Sequence, residues 1–169
     1  MKKVILSAAV LVLTGAANKV MAQETATATA TATIVTPISI TNTANMNFGN
    51  VAVQSTTAGT VVLTPGGARS ATGGVTLPTT NGSVAAAAFT VAGTGSYTYS
   101  ITLPSSALTI TSGANTMTVT AFTSNPSGTG ALTAGIQTLT VGATLNVSAA
   151  QPAGTYVSAT PFDVTVNYN

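Results

Sequence analysis

The chain has 169 residues with no Cys and no His, and only four basic and two acidic side chains. Without Cys there are no disulfides, and without His or clustered carboxylates the usual metal and catalytic sites are excluded. So low a charge fraction, with abundant Thr and Val, argues against a disordered chain. The scarcity of Glu, Lys, Gln and Arg argues against a helical one, so we expect an all-β protein.

The N-terminus has the three parts of a secretory signal peptide. Lys2 and Lys3 precede an apolar segment over residues 4–17, which is shorter than the ~20 residues needed to span a bilayer. Residues 20–22 (VMA) then place small side chains where a signal peptidase reads them. We predict removal of residues 1–22, with export through the periplasm to the cell surface or beyond. An uncleaved membrane anchor is the alternative.

Cleavage after Ala22 changes the charge of the protein, because three of the four basic residues lie in the removed segment. The mature chain keeps Arg69, Glu24 and Asp163, for a net charge of −1. No basic patch remains that would bind nucleic acid or anionic lipid. No second apolar run has the length of a transmembrane helix. We therefore expect neither a nucleic-acid partner nor a membrane span after cleavage.

Residues 25–33, close to the predicted cleavage site, alternate strictly between Thr and Ala. One face stays largely apolar over residues 26–40, which as one strand would extend ~50 Å, against ~17–20 Å for a usual strand. One interpretation is a flexible leader over residues 23–33, before a first strand that begins near residue 34. The other is a donor strand that completes the sheet of a neighbouring subunit. Its candidate inward face consists of Ala26, Ala28, Ala30, Ala32 and Ile34.

From residue 34 onward, apolar and polar residues alternate with the period of a strand that has one buried face. The clearest case is the predicted C-terminal core strand, whose inward residues are Phe162, Val164, Val166 and Tyr168. Residues 97–103, 117–121, 139–141 and 145–147 show the same alternation. Gly142, between the last two segments, predicts a turn or bulge.

Gly, Pro and Asn fall between the apolar runs, as expected for turns between short strands. These turns are predicted at residues 65–67, 73–74, 81–82, 93–95, 125–128 and 152–154. The Ala run at 85–88 suits one helical turn, but its Val, Phe and Thr neighbours favour a strand. We predict roughly nine to eleven strands that form a single Ig-like β-sandwich over residues 34–169.

Several short motifs follow one another along the mature chain. They are IVTPISI at 34–40, MNFGNV at 46–51, GTV at 59–61, AFTVAG at 88–93, ITLP at 101–104, VGATLNV at 141–147, GTY at 154–156 and FDVTVNY at 162–168. In this order they resemble a family of secreted bacterial proteins, the domain-of-unknown-function family 4402, over nearly the whole mature chain.

The layout of that family is similar to that of chaperone–usher fimbrial subunits. Such pilins have an N-terminal donor strand, an Ig-like sandwich and an alternating C-terminal strand. The resemblance implies self-association into a linear polymer, with a periplasmic chaperone and an outer-membrane assembly protein as partners. This chain departs from many pilins because it has no Cys pair.

We predict no enzyme activity, no cofactor and no metal site. A Ser or Thr nucleophile needs an adjacent base, and the two mature carboxylates lie near opposite ends of the chain. Arg69, between two Gly-rich turns, is expected to be solvated.

Composition and resemblance together predict a structural subunit of an extracellular bacterial fibre. The alternative is a monomeric or surface-attached adhesion module, with the N-terminal strand docked on its own domain or flexible. Its binding site would need aromatic side chains, and the candidates are Tyr97, Tyr99 and Tyr156. Tyr97 and Tyr99 share a face with Ile101, so we expect both of them in the core.

Overall fold

A computed structural model describes residues 23–169, and the predicted signal peptide at residues 1–22 lies outside the described residues. The chain divides between Thr33 and Ile34 into two units. Residues 23–33 form neither helix nor strand. The unit Ile34–Asn169 contains every strand of the described part of the chain.

The described residues form an all-β, sandwich-like fold in which every strand pairing is antiparallel, as the alternation predicts. Five of the fifteen strands are only two residues long, too short to show a period, so the predicted number was too low. The strands are β1 (Ser39–Ala44), β2 (Asn47–Phe48), β3 (Ala52–Val53), β4 (Gly59–Leu63), β5 (Arg69–Gly73), β6 (Val75–Thr76), β7 (Val84–Ala85), β8 (Ala87–Ala92), β9 (Thr98–Thr102), β10 (Leu108–Ser112), β11 (Asn115–Asn125), β12 (Thr129–Ala131), β13 (Ile136–Val147), β14 (Val157–Ser158) and β15 (Thr165–Tyr168).

The predicted turns fall between strands, except that Gly73 ends β5 and Asn125 ends β11. Of the Ala run at 85–88, Ala85 ends β7, Ala87 and Ala88 begin β8, and Ala86 lies between the two strands. The main sheet has the order β1-β8-β13-β11-β10-β14, and β4 joins β13 to β5. The first half of β13 pairs with β8 and its second half with β4. Because β11 occupies the other edge of β13, β8 and β4 must share one edge, end to end.

Gly142 lies at the junction of these two neighbours, inside a continuous strand. Of the turn or bulge predicted here, the turn does not form, whereas a bulge does lie opposite Gly142, in β11. A Cβ atom here would collide with the carbonyl oxygen of Leu63 and lie 2.7 Å from the backbone nitrogen of Pro65. The absence of a side chain lets β4 end against β13.

A β-bulge lies in the neighbouring strand β11, where the register shifts between Thr120 and Thr123. Ala121 has a positive φ of 49° and is exposed, so the prediction that it faces the core was wrong. The extra residue reverses the alternation. Phe122 thereby contacts both core clusters of the domain.

The second sheet has three strands in the order β12-β9-β15. It contributes Tyr99 and Val166 to a core cluster whose other members include Phe89, Leu139 and Val141 of the main sheet. The second core cluster lies against the other half of the main sheet. Residues of the short strands β2, β3 and β6 and of their loops belong to it or pack on it.

Candidate functional site

The N-terminal extension, residues 23–33, is exposed along its whole length and pairs with no strand of the described chain. The four alanines of the candidate inward face are therefore exposed, and Ile34 is 97% exposed. The Thr-Ala segment is thus neither paired nor buried in the described chain.

The chain joins its own domain just after this extension. The backbone N–H of Thr36 donates to Thr94 Oγ1 at 2.8 Å, and Ile38 and Ile40 pack against the first core cluster. Strand β1 begins at Ser39 rather than near residue 34, and it pairs with β8. The apolar face over residues 26–40 is therefore not one strand, because its last residues belong to the domain's own core.

The hydroxyl of Tyr168 in β15 forms hydrogen bonds to the segment that leads into β1 and to the neighbouring loop. It accepts a hydrogen bond from the backbone N–H of Thr94 at 2.7 Å and donates one to the carbonyl of Thr36 at 2.9 Å. The ring of Tyr97 packs edge-on against Tyr168, with centroids 5.6 Å apart. One phenol group thus joins the last strand to the segment that leads into the first strand.

The predicted C-terminal core strand begins only at Thr165, so Phe162 and Val164 precede β15. All four predicted inward residues nevertheless pack in or against the first core cluster. Val166 is buried, whereas Phe162, Val164 and Tyr168 are only partly buried. Phe162 makes an edge-on contact with Phe89, with centroids 6.4 Å apart. Three large apolar side chains in and just before this strand therefore keep part of their surface exposed.

Strand β15 pairs with β9 on one side, and the described residues provide no partner on its other side. The backbone N–H of Asn169 donates to the carbonyl of Thr98, the first residue of β9. Since bonding direction alternates along an antiparallel strand, the N–H and C=O groups of Val166 and Tyr168 point away from β9. Residues 161–164, which precede β15, form no strand. We call the unpaired side of β15, residues 165–168, the free edge.

Charge does not protect the strand edges in the described part of the chain. Its charged side chains are Glu24, Arg69 and Asp163, and only Asp163 lies near the free edge. Natural monomers usually block exposed edges with charges, proline or bulges.

Arg69 is half-buried in β5, so the prediction that it is solvated was wrong. Its Nη1 donates to the carbonyls of Phe48 and Asn50, the latter at 3.0 Å, and its Nη2 donates to Asn81 Oδ1 at 3.3 Å. The guanidinium therefore cross-links the loops around β2 and β7. Its partners are distant in sequence, so no local pattern predicts them.

We expect Arg69→Met to lower the free energy of unfolding by about 1–3 kcal/mol, because it leaves carbonyls without their charged donor. Urea denaturation followed by circular dichroism measures this loss. Ser70→Ala, on an exposed neighbour in the same strand, is the control and should change stability by less than about 0.5 kcal/mol. Equal midpoints for the two variants would contradict the role of Arg69.

The three candidate tyrosines occupy different environments. Tyr99 is fully buried and donates to Gln137 Oε1 at 2.6 Å, and burial raises the pKa of its hydroxyl. Tyr156 donates to the carbonyl of Pro152 at 2.8 Å. Tyr97 is 47% exposed, so the prediction of a core position was wrong for this residue. Its aromatic contact is with Tyr168, and the three rings do not assemble into one stacking surface.

An open groove of about 490 Å³ crosses the end of the main sheet, which the sequence did not predict. Thr60, Asn146 and Thr118 form a cross-strand row in its floor. The amide nitrogen of Asn146 donates to Thr118 Oγ1 at 3.3 Å and to Thr120 Oγ1 at 3.0 Å. The groove therefore presents small polar groups and no titratable side chain.

Among residues 23–169, no group of three or more His, Cys, Asp or Glu side chains lies close enough to hold a metal ion. That part of the chain also contains no helix with the length and hydrophobicity needed to cross a membrane.

The family described as Domain of unknown function (DUF4402) matches residues 38–168, which is most of the chain. The chain belongs to this family. No curated protein and no solved structure matches it. The family match begins at Ile38, one residue before β1, and excludes the Thr-Ala extension.

Proposed function

We propose that the protein is a structural subunit of an extracellular bacterial surface fibre, which polymerises when its N-terminal extension adds as a strand to a neighbouring subunit. One observation carries this proposal. The extension alternates strictly between Thr and Ala, and yet it is exposed and unpaired in its own chain. Strict alternation serves a strand with one buried face, and the described chain provides no such burial.

The domain itself supports this function in two ways. Its first strand, β1, already pairs with β8 and supplies Ile38 and Ile40 to the core, so the domain does not need the extension to complete that core. Its exposed edges lack Lys, so the chain does not oppose strand addition from outside. Association of one segment with a different surface on the next copy is heterologous and builds an open filament.

The pilin-like route of export belongs to the same proposal. An extended segment and an open strand edge would aggregate before assembly, which is a physical reason for a periplasmic chaperone. An outer-membrane assembly protein would then release subunits in sequence.

Deletion of residues 25–33 tests the proposal. We expect the deleted protein to be a folded monomer that forms no filaments, since residues 34–169 keep every strand found in the described residues. Light scattering after size-exclusion chromatography and electron microscopy measure assembly, and circular dichroism measures folding. A chain with a Gly-Ser segment of the same length is the control and should also stay monomeric.

Filaments from either variant would contradict strand donation. A wild-type mature protein that stays monomeric at high concentration would contradict the fibre itself and favour the adhesion module.

A further inference from the structure

Arg69 carries a positive charge that none of its partners in the described chain neutralises. Its three hydrogen-bond acceptors are the backbone carbonyls of Phe48 and Asn50 and the side-chain oxygen of Asn81, all of them uncharged. Arg69 is also the one cationic side chain among residues 23–169. A half-buried guanidinium without a carboxylate partner attracts an anion from outside, because salt screens a partly buried charge less than an exposed one.

Two of the five N–H donors of this guanidinium remain available. Its Nη1 makes two hydrogen bonds to backbone carbonyls, and its Nη2 makes one, to Asn81 Oδ1 at 3.3 Å. Among residues 23–169, no group accepts a hydrogen bond from Nε or from the second hydrogen of Nη2. These two donors lie on neighbouring nitrogens of one planar fork, which is the arrangement that binds both oxygens of a carboxylate.

The surrounding loops hold the guanidinium in place. The backbone N–H of Asn50 donates to the carbonyl of Asn81 at 2.8 Å, and Asn50 Nδ2 donates to the carbonyl of Thr80 at 3.0 Å. Gly49 has a φ of 67°, and a Cβ atom there would collide with the carbonyl oxygen of Asn81 and lie 3.0 Å from Arg69 Nη1. Donors that are fixed in this way lose little conformational freedom when a ligand binds.

Arg69 lines a small open pocket of about 240 Å³. The other residues of its wall are Gly67, Leu77, Asn81 and Val84. Leu77 and Val84 provide apolar surface, and Asn81 Nδ2, which donates to no group of the described chain, provides a further polar donor. The volume is smaller than the ~300–1,000 Å³ of pockets for drug-sized ligands, so the pocket suits a single ring.

From these contacts we propose that Arg69 and Asn81 form a binding site for the carboxylate of an acidic sugar, a uronic acid. Nε and Nη2 of Arg69 would donate to the two carboxylate oxygens, and Asn81 Nδ2 to a ring hydroxyl. Leu77 and Val84 would contact the C–H face of the ring. A single cation matches the single charge of a carboxylate, whereas a phosphate monoester carries about −1.5 to −2 at pH 7.

Saturation-transfer NMR on the mature protein tests the site, and it is applicable to monomers and filaments alike. The probe is D-galacturonate, and the control ligand is D-galactose, which has a hydroxymethyl group in place of the carboxylate. We expect saturable transfer to D-galacturonate, with competition by acetate, and none to D-galactose at the same concentration and ionic strength. Equal transfer to both sugars, or to neither, overturns the proposal.

Two variants separate ligand binding from the structural role of Arg69. Asn81→Asp keeps an oxygen acceptor for Nη2 but places a negative charge in the pocket, so the fold is retained while the carboxylate is repelled. Arg69→Met removes the donors. We expect each variant to weaken D-galacturonate binding at least about tenfold, because the charge-assisted hydrogen bonds are lost. Circular dichroism measures the folding of each variant.

Thr109→Asp is the matched control, because it adds the same charge on an exposed residue of β10, which three strands separate from β5. This variant should bind D-galacturonate as wild type does. Binding that Asn81→Asp leaves unchanged, or that Thr109→Asp also removes, overturns the site.

The Glu24→Gln/Asp163→Asn protein distinguishes a sugar from a second copy as the source of the carboxylate. If this protein binds D-galacturonate and wild type does not, a neighbouring copy occupies the fork, which overturns the acidic sugar as ligand. Tighter binding of inorganic sulfate than of D-galacturonate overturns the carboxylate class. Electron microscopy scores filaments separately, so failure of this site and failure of the fibre are distinguishable.

Discussion

Replacing Ala28 with Asp is expected to abolish filament assembly, whereas replacing Thr29 with Asp leaves assembly nearly unchanged. In a donated strand, Ala28 lies on the apolar face, which the neighbouring subunit would bury. A carboxylate there would lose its hydration without a partner, at an effective cost of several kcal/mol. Thr29 lies on the opposite face of the strand, where its side chain stays in water.

Sedimentation velocity and electron microscopy measure this difference. The two variants have the same charge, and residues 28 and 29 are both exposed in the free chain. Their monomers should therefore have the same melting temperature, which separates an assembly defect from a folding defect. Equal assembly by the two variants would remove strand donation as the mechanism, because a flexible leader has no inward face.

Replacing Gly142 with Ala is expected to destabilise the domain by about 3 kcal/mol or more, because overpacking against fixed groups costs 1–3 kcal/mol and occasionally more. The new Cβ would meet backbone atoms of Leu63, Thr64 and Pro65, the last at 2.7 Å. Backbone cannot rotate away as a side chain does, so β4 or β13 would have to shift. Thermal unfolding of the dilute protein measures the loss.

Gly66→Ala is the matched control for this prediction. Gly66 lies in the turn between β4 and β5, and the nearest atom to its added Cβ is Thr64 Oγ1 at 3.8 Å. We expect a change within about 0.5 kcal/mol for this exposed position. Similar melting temperatures for both Gly variants would mean that the junction at Gly142 tolerates a side chain.

Local alternation was sufficient to predict the longer strands, because a half-buried strand needs one apolar side chain in two. The pattern was correct for Leu139, Val141, Leu145 and Val147, which are all buried. It was wrong at Ala121, where a bulge in β11 reverses the alternation. Whether a strand contains a bulge depends on how it pairs with the neighbouring strand, and the sequence of one strand does not carry that information.

The donor strand could be predicted from the sequence, whereas the free edge could not. The Thr-Ala alternation is visible in the sequence, so a candidate donor strand could be predicted. The free edge results from the pairing of β15 with β9 and from the absence of a strand on its other side in the described chain. Likewise, the hydrogen bonds of Arg69 join segments that are distant in sequence. Such features depend on tertiary structure, which composition and periodicity do not specify.

The phenol group of Tyr168 has a mechanical consequence for a fibre assembled as proposed. In such a fibre, tension would reach each domain through the segment that follows Thr33. Tyr168 bonds directly to the carbonyl of Thr36 in that segment and, through Thr94, to the loop beside it. A pull on the N-terminal segment would therefore pass to β15, at the other end of the sequence, through hydrogen bonds rather than along the covalent chain.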